Sequence, residues 1–270
     1  MRHAALCFGA WFALIAWAGA AAQENAGDVG SPGTETLIDE GLLLIDGGPG
    51  RARTEDFSVF RRPDGGYTVL NATGSNSYTT VWNLNYDRAW RLLNGKGQGT
   101  TKGVTRVVEV TRESGDIVRI SRRATGKGVS SRTVYFTAAC DRDCLVDMAP
   151  GATPASVMPN RYDRAKGGEQ KFKWVRVSLI SDEVFLDGSA TLALKGEQTI
   201  NGGSFTVASH WLMREELTET ASGKTETLQG HLWTDPKGWL RKFAVGPSPQ
   251  PSMAGIRSTD EKFSKQMIAD

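Results

Sequence analysis

Cysteine and histidine are both scarce. The 270 residues hold three of each, and Cys7 and His3 fall within the first ten positions. Only Cys140, Cys144, His210 and His231 remain for the rest of the chain. That supply excludes a cysteine-rich zinc module and a disulfide-dense miniature fold. An excess of charge of one sign is missing as well. A net charge of +2 gives no bulk attraction to nucleic acid. Beyond the N-terminus no apolar run approaches the roughly 20 residues of a membrane-spanning helix. There is no G-x-S-x-G elbow, phosphate-binding loop or dinucleotide fingerprint, so the sequence implies no cofactor.

What is present starts with an export signal. Arg2 and His3 precede an apolar stretch from Ala4 to Ala18, and Ala20-Ala21-Ala22 before Gln23 forms an A-x-A cleavage pattern. Residues 1–22 therefore read as a signal peptide, and the mature chain is expected to be periplasmic or secreted, in a bacterial envelope. In an exported chain, the leftover pair Cys140 and Cys144 is most simply a disulfide. Half a metal site is the alternative, but no further cysteine or nearby histidine completes it.

The remainder has the punctuation of a β protein. Residues 23–36 form a Gly/Ser/Glu-rich leader, and Leu42-Leu43-Leu44-Ile45 marks a first strand. Phe57–Arg62 and Tyr67–Thr73 flank Pro63-Asp64-Gly65-Gly66, a hairpin signal. Tyr78–Tyr86 alternates, with Tyr78, Thr80, Trp82, Leu84 and Tyr86 on one face, which predicts a sheet with one buried side. Gly95–Gly103 reads as a glycine-rich connection. Strands follow at Val104–Thr111, Ile117–Arg123 and Arg132–Thr137. A first β unit thus spans 37–137. Residues 138–167, rich in Pro, Gly and Cys, read as a crossover or lid carrying the Cys140/Cys144 loop. A second unit, 168–246, has strands at Gln170–Ile180, Glu183–Leu186, Thr191–Lys195, Phe205–Thr218, Thr225–Thr234 and Trp239–Val245. Residues 247–270 read as a Pro-rich linker and a tail helix capped at Ser258-Thr259-Asp260-Glu261. Two stretches echo one another: His231 to Phe243 around Asp235-Pro236-Lys237-Gly238-Trp239, and Trp82 to Leu93 around Asp87-Arg88-Ala89-Trp90. Each runs apolar strand, Asp, Trp, then an Arg-containing strand, with an Asp-to-Trp spacing that differs by one residue, which suggests duplication.

The fold expected is mostly β and antiparallel. It consists of two related curved sheets or half-barrels in a β-roll, with a loop and short-helix crossover and a short C-terminal helix. Candidate chemistry is sparse. His210 and His231, with Glu215, Glu216 or Asp235, are conceivable acid–base or metal groups, but their spacing matches no ligand motif, so no catalytic or metal residue is assigned. Arg119, Arg122, Arg123, Lys127 and Arg132 cluster, as do Arg61 and Arg62. A basic sheet face of this kind suits phosphate or carboxylate groups, although charge runs are usually solvated surface. Asn71-Ala72-Thr73 is a glycosylation sequon. The aromatics carry the main expectation. Trp82, Tyr86, Trp174, Trp211 and Trp233 sit in strands and suit either a core or the wall of an apolar ligand site.

The signal peptide, the two runs of short antiparallel strands and the Asp-turn-Trp hairpin resemble the exported bacterial proteins with half-barrel or spiral β-roll folds. These include the glycolipid-binding proteins and, more distantly, the periplasmic lipoprotein carriers. The resemblance covers about residues 40–246 and carries over no individual binding residue. It implies a concave sheet holding a lipid or glycolipid-like ligand. Two other readings stand beside it: an interaction module whose sheet edges and basic face meet another envelope protein, and a hydrolase built on the two histidines.

Overall fold

The computed structural model describes residues 34–46, 52–113, 116–141, 144–149, 157–200, 206–246 and 251–258. The signal peptide, most of the leader, the Asn201-Gly202-Gly203 turn and the tail helix beyond Ser258 lie outside these residues. The strands are β1 (Thr36–Asp46), β2 (Arg53–Arg61), β3 (Tyr67–Gly74), β4 (Tyr78–Tyr86), β5 (Leu92–Thr101), β6 (Val104–Arg112), β7 (Ile117–Gly126), β8 (Thr133–Ala139), β9 (Cys144–Ala149), β10 (Glu169–Ser178), β11 (Val184–Ile200), β12 (Thr206–Thr218), β13 (Thr225–Thr234), β14 (Leu240–Val245) and β15 (Met253–Ser258). One short helix, α1 (Val157–Arg161), lies between β9 and β10.

The protein is mostly β and antiparallel, as the alternating strands predict. It differs from the expectation in having one continuous sheet of 15 strands rather than two, in the order β8-β7-β6-β5-β4-β3-β2-β1-β15-β14-β13-β12-β11-β10-β9. The joining piece is β15, which pairs with β1 on one side and β14 on the other. It falls where a linker was expected. Its sequence, Met253 to Ser258, is short, holds Gly255 and follows three prolines, so it carries little strand signal. Phe243 explains the glycine: a Cβ on Gly255 would overlap its ring.

Two further corrections concern the first unit and the crossover. Gly95–Gly103 is largely strand, not connection. Gly95, Gly97 and Gly99 share the buried face of β5, while Lys96 and Gln98 are exposed. A Cβ at Gly97 would lie 2.7 Å from Met148 Sδ, and one at Gly99 would overlap the Leu179 carbonyl. The glycine stripe thus lets β9 and the end of β10 lie directly on β5. The supposed crossover also contains a strand. β9 pairs in parallel with β10, Trp174 opposite Leu145 and Val177 opposite Met148. Its first five residues are all buried, so period-two alternation is absent and the strand gives no outward signal. Parallel neighbours need a crossover, and the stretch holding α1 between them supplies it. In the second unit, the two short strands expected at Glu183–Leu186 and Thr191–Lys195 are one strand, β11, with a bulge between Leu194 and Gly196.

The buried face forms one core running from Leu43 and Phe57 through Leu84, Val108 and Ile120 to Val177, Leu192 and Leu217. Cys140 and Cys144 are bridged, with their Cα atoms 4.8 Å apart. The bridge ties the end of β8 to the start of β9, the two strands at opposite ends of the sheet order. Such a bond is maintained in an oxidising compartment, consistent with an extracytoplasmic location. Among the described residues no helix is long and apolar enough to cross a membrane.

Candidate functional site

Of the five aromatic candidates, four are interior. Trp82, Tyr86, Trp174 and Trp211 are between 0 and 4 % exposed. Trp211 donates its Nε1–H to Thr234 at 3.0 Å and meets Tyr162 edge-on. Trp82 and Trp174 bury their Nε1–H groups without an acceptor among the described residues. Trp233 is separate. It lies half-buried on the opposite face of the sheet, donates to Gln198 at 2.8 Å, stacks on His210 and sits under Lys242. The structure therefore does not bring all five candidates together. Two surface hollows, about 350 and 400 Å³, are open and lined by none of them.

The two echoing turns are copies in geometry. Asp87 Oδ1 accepts the N–H groups of Ala89 and Arg91, and its Oδ2 holds Arg91 Nε. Asp235 Oδ1 accepts from Lys237 and Trp239, and its Oδ2 holds Arg241. Both turns follow the same local bulge: Asn85 opposite Asn94 then Tyr86 opposite Leu92, and Trp233 opposite Lys242 then Thr234 opposite Leu240. The tryptophans occupy successive positions of this frame. Trp90 takes the left-handed position, φ 59°, that Gly238 takes in the other copy. Sequence spacing was therefore off by one although the turns match. The sheet curls until Trp90 meets Trp239, ring centres 5.7 Å apart, with Tyr67 stacked on Trp90 at 4.0 Å.

Behind the aromatics lies a buried charge cluster that the sequence reading missed. Arg176 on β10 binds Asp147 on β9 at 2.7 Å and Glu215 on β12 at 3.1 Å. Asp147 and Glu215 are almost wholly buried. Desolvation pushes both carboxyls above the ordinary range, against the pull of Arg176. The Tyr86 phenol is pushed up by burial and by Asp147. Two carboxylates around one guanidinium favour holding a proton in the cluster. The arrangement is a buried polar core, lined by neither of the two surface hollows.

The basic cluster splits. Arg122, with Arg106, points inward and grips the β10–β11 turn. Arg122 Nη1 donates to the Asp182 carbonyl at 2.8 Å, and Arg106 Nε meets the Asp182 carboxylate at 3.1 Å. Arg119 and Arg123 lie exposed on the outer face of β7, and Lys127 and Arg132 are exposed in the connection from β7 to β8. Arg119 pairs with Glu113 at 2.6 Å. Beside them runs β8, which among the described residues pairs only with β7. Arg62 is held by Asp64 at its own turn. Asn71 is buried and donates to Glu55 at 2.6 Å, so the sequon is no sugar acceptor in the folded chain.

The two histidines do meet. His210 on β12 and His231 on β13 place Nε2 and Nδ1 2.9 Å apart on the outer face, beside Trp233. Burial, then His231 and Lys195, lower the His210 pKa. Cross-strand register, which sequence spacing does not reveal, is what pairs them.

No family model matches the chain, and no curated protein matches it. Three solved structures are similar to it in fold. A DUF1089 family protein from Pseudomonas aeruginosa has 15 % identity over 80 % of this chain and 92 % of its own, with a TM-score of 0.37. A beta-barrel-like DUF1849 protein from Brucella abortus has 8 % identity over 83 % and 97 %, with a TM-score of 0.46. A Bacteroides fragilis protein with a YmcC-like fold has 8 % identity over 84 % and 95 %, with a TM-score of 0.33.

Proposed function

We propose that this chain is an exported envelope interaction module, which takes an extended acidic segment of another envelope protein as an added strand on the free edge of β8. The observation that carries the reading is the make-up of that edge. Thr133-Val134-Tyr135-Phe136-Thr137-Ala138-Ala139 contains no charge, proline or glycine, and Tyr135 is 68 % exposed. Sheet edges are ordinarily blunted by charge, proline or a bulge, and one left unpaired and uncharged is a template for another strand. The exposed Arg123, Lys127 and Arg132 beside it select acidic over basic partners, while Arg119 is paired with Glu113. The hollow lined by Arg119, Tyr135, Phe136 and Thr137 offers room for a side chain.

The test uses two fluorescent nine-residue peptides of alternating Val/Thr, one carrying glutamates at the outward positions and the other lysines. The acidic peptide is expected to bind saturably, and Tyr135→Pro or Thr137→Lys to weaken it at least tenfold. Equal binding of both peptides, or none, overturns the proposal. So does self-association through β8 that excludes the acidic peptide in sedimentation.

A second reading, a lipid or glycolipid-like ligand against the inner face, is supported by the unpaired indole N–H groups of Trp82 and Trp174. It requires β9 and β10 to part from β5. A saturable change in tryptophan fluorescence on adding glycolipid micelles, lost in Trp174→Phe, would support it. An unchanged spectrum would remove it.

A further inference from the structure

We infer that His210 and His231 form a binding site for a late divalent transition metal, copper(II) foremost, on the outer face of the second half of the sheet. The site is independent of the β8 edge. His210 Nε2 and His231 Nδ1 stand 2.9 Å apart. Two imidazole nitrogens bound about 2.05 Å from one metal at a right angle are separated by about 2.9 Å, the cis spacing of tetragonal copper(II) or nickel(II). A tetrahedral ion such as zinc would need them to open to about 3.3 Å, a shift that rotation of either ring allows. The remaining positions face solvent.

The surroundings favour this class of ion. Both rings are half-buried, which limits their freedom while leaving the donor atoms reachable. Adjacent strands fix them, with His210 directly opposite Trp233 and Leu212 opposite His231. His210 stacks on the Trp233 ring at 4.9 Å and an angle of 9°, and that indole is itself anchored by Gln198. Among the described residues no carboxylate contact to these rings is seen, and Lys195 and Lys242 approach them or Trp233. Calcium and magnesium, which need oxygen donors, are excluded. An ion that binds imidazole strongly enough to tolerate neighbouring positive charge is selected, which is the top of the divalent series.

The same two nitrogens can instead share one proton, and the experiment separates these cases. Full-length protein in a His3→Ala, Cys7→Ser background leaves His210 and His231 as its sole imidazoles and removes a thiol that would reduce copper(II). Copper(II) chloride is titrated while tryptophan emission and electron paramagnetic resonance are recorded. One equivalent is expected to bind, with a two-nitrogen signature and quenching of the Trp233 emission. His210→Ala and His231→Ala should each weaken binding at least tenfold without changing the circular dichroism. Trp233→Phe should keep the stoichiometry and lose most of the quenching. The spectrum of the otherwise intact protein decides the matter if a histidine variant fails to fold. A signal without two equivalent nitrogens, or affinity unchanged in a folded His231→Ala protein, overturns the inference.

Discussion

Gly97 contributes by having no side chain. It lies where β9 and the end of β10 press on β5, and Met148 and Leu179 occupy the space a side chain would take. Gly97→Val should therefore destabilise the protein by about 1–3 kcal/mol through overpacking, read as a lower midpoint in urea. Lys96→Val, one residue away on the exposed face, should change it little. A different residue-scale effect belongs to Glu215. Its carboxyl, like that of Asp147, titrates above its unfolded value because of burial. Between the unfolded and folded pKa the native state holds more protons than the unfolded chain, so stability is fully present below the unfolded pKa and falls as pH rises through the folded one. Glu215→Gln should flatten that decline. Urea midpoints at pH 4 and pH 7 for both proteins would show it, and parallel pH profiles would refute the assignment.

At the level of elements, β15 is the strand whose loss matters most. It joins β1 to β14, and Arg257 reaches from it to Asp39 on β1, 2.6 Å away, with its guanidinium over the Phe57 ring. Both charges are nearly buried, and desolvation raises the Asp39 pKa despite Arg257. Removing one partner leaves the other unpaired, so Arg257→Ala should cost about 3–5 kcal/mol by chemical denaturation. Arg257→Ala with Asp39→Ala should recover part of that loss. Elements of this kind also mark how far the sequence could be read. β4 and β12 alternate Trp82, Leu84, Tyr86 and Trp211, Met213, Leu217 against polar residues, so their strands were visible. The inner face of β5 is glycine, which has no hydropathy to alternate. β9 is buried throughout, and β15 sits among turn-forming residues. The candidate sites follow the same logic. Trp82, Tyr86, Trp174 and Trp211 were recognisable as inward aromatics. The Arg176 cluster and the His210–His231 pair depend on which strands are neighbours, and that is a property of register and topology.

At the scale of the whole molecule, the Cys140–Cys144 bridge links strands that stand at the two ends of the sheet order. The closed loop is short, so a Cys140→Ser, Cys144→Ser variant should lose only about 2 kcal/mol by loop-entropy reasoning. A loss several times larger would mean that the bridge also holds the sheet's curl. Topology has a further consequence for synthesis. β1 is made among the first of the described residues, and β15, its partner, among the last: Leu44 pairs with Ile256. Until residue 256 has emerged, β1 presents an unpaired edge, and the arm from β1 to β8 is a sheet awaiting its neighbour. Non-local pairing of this span is slow. A nascent or transported chain therefore carries β1 open on one side until β15 has been made, a template that any strand-like partner present meanwhile meets first.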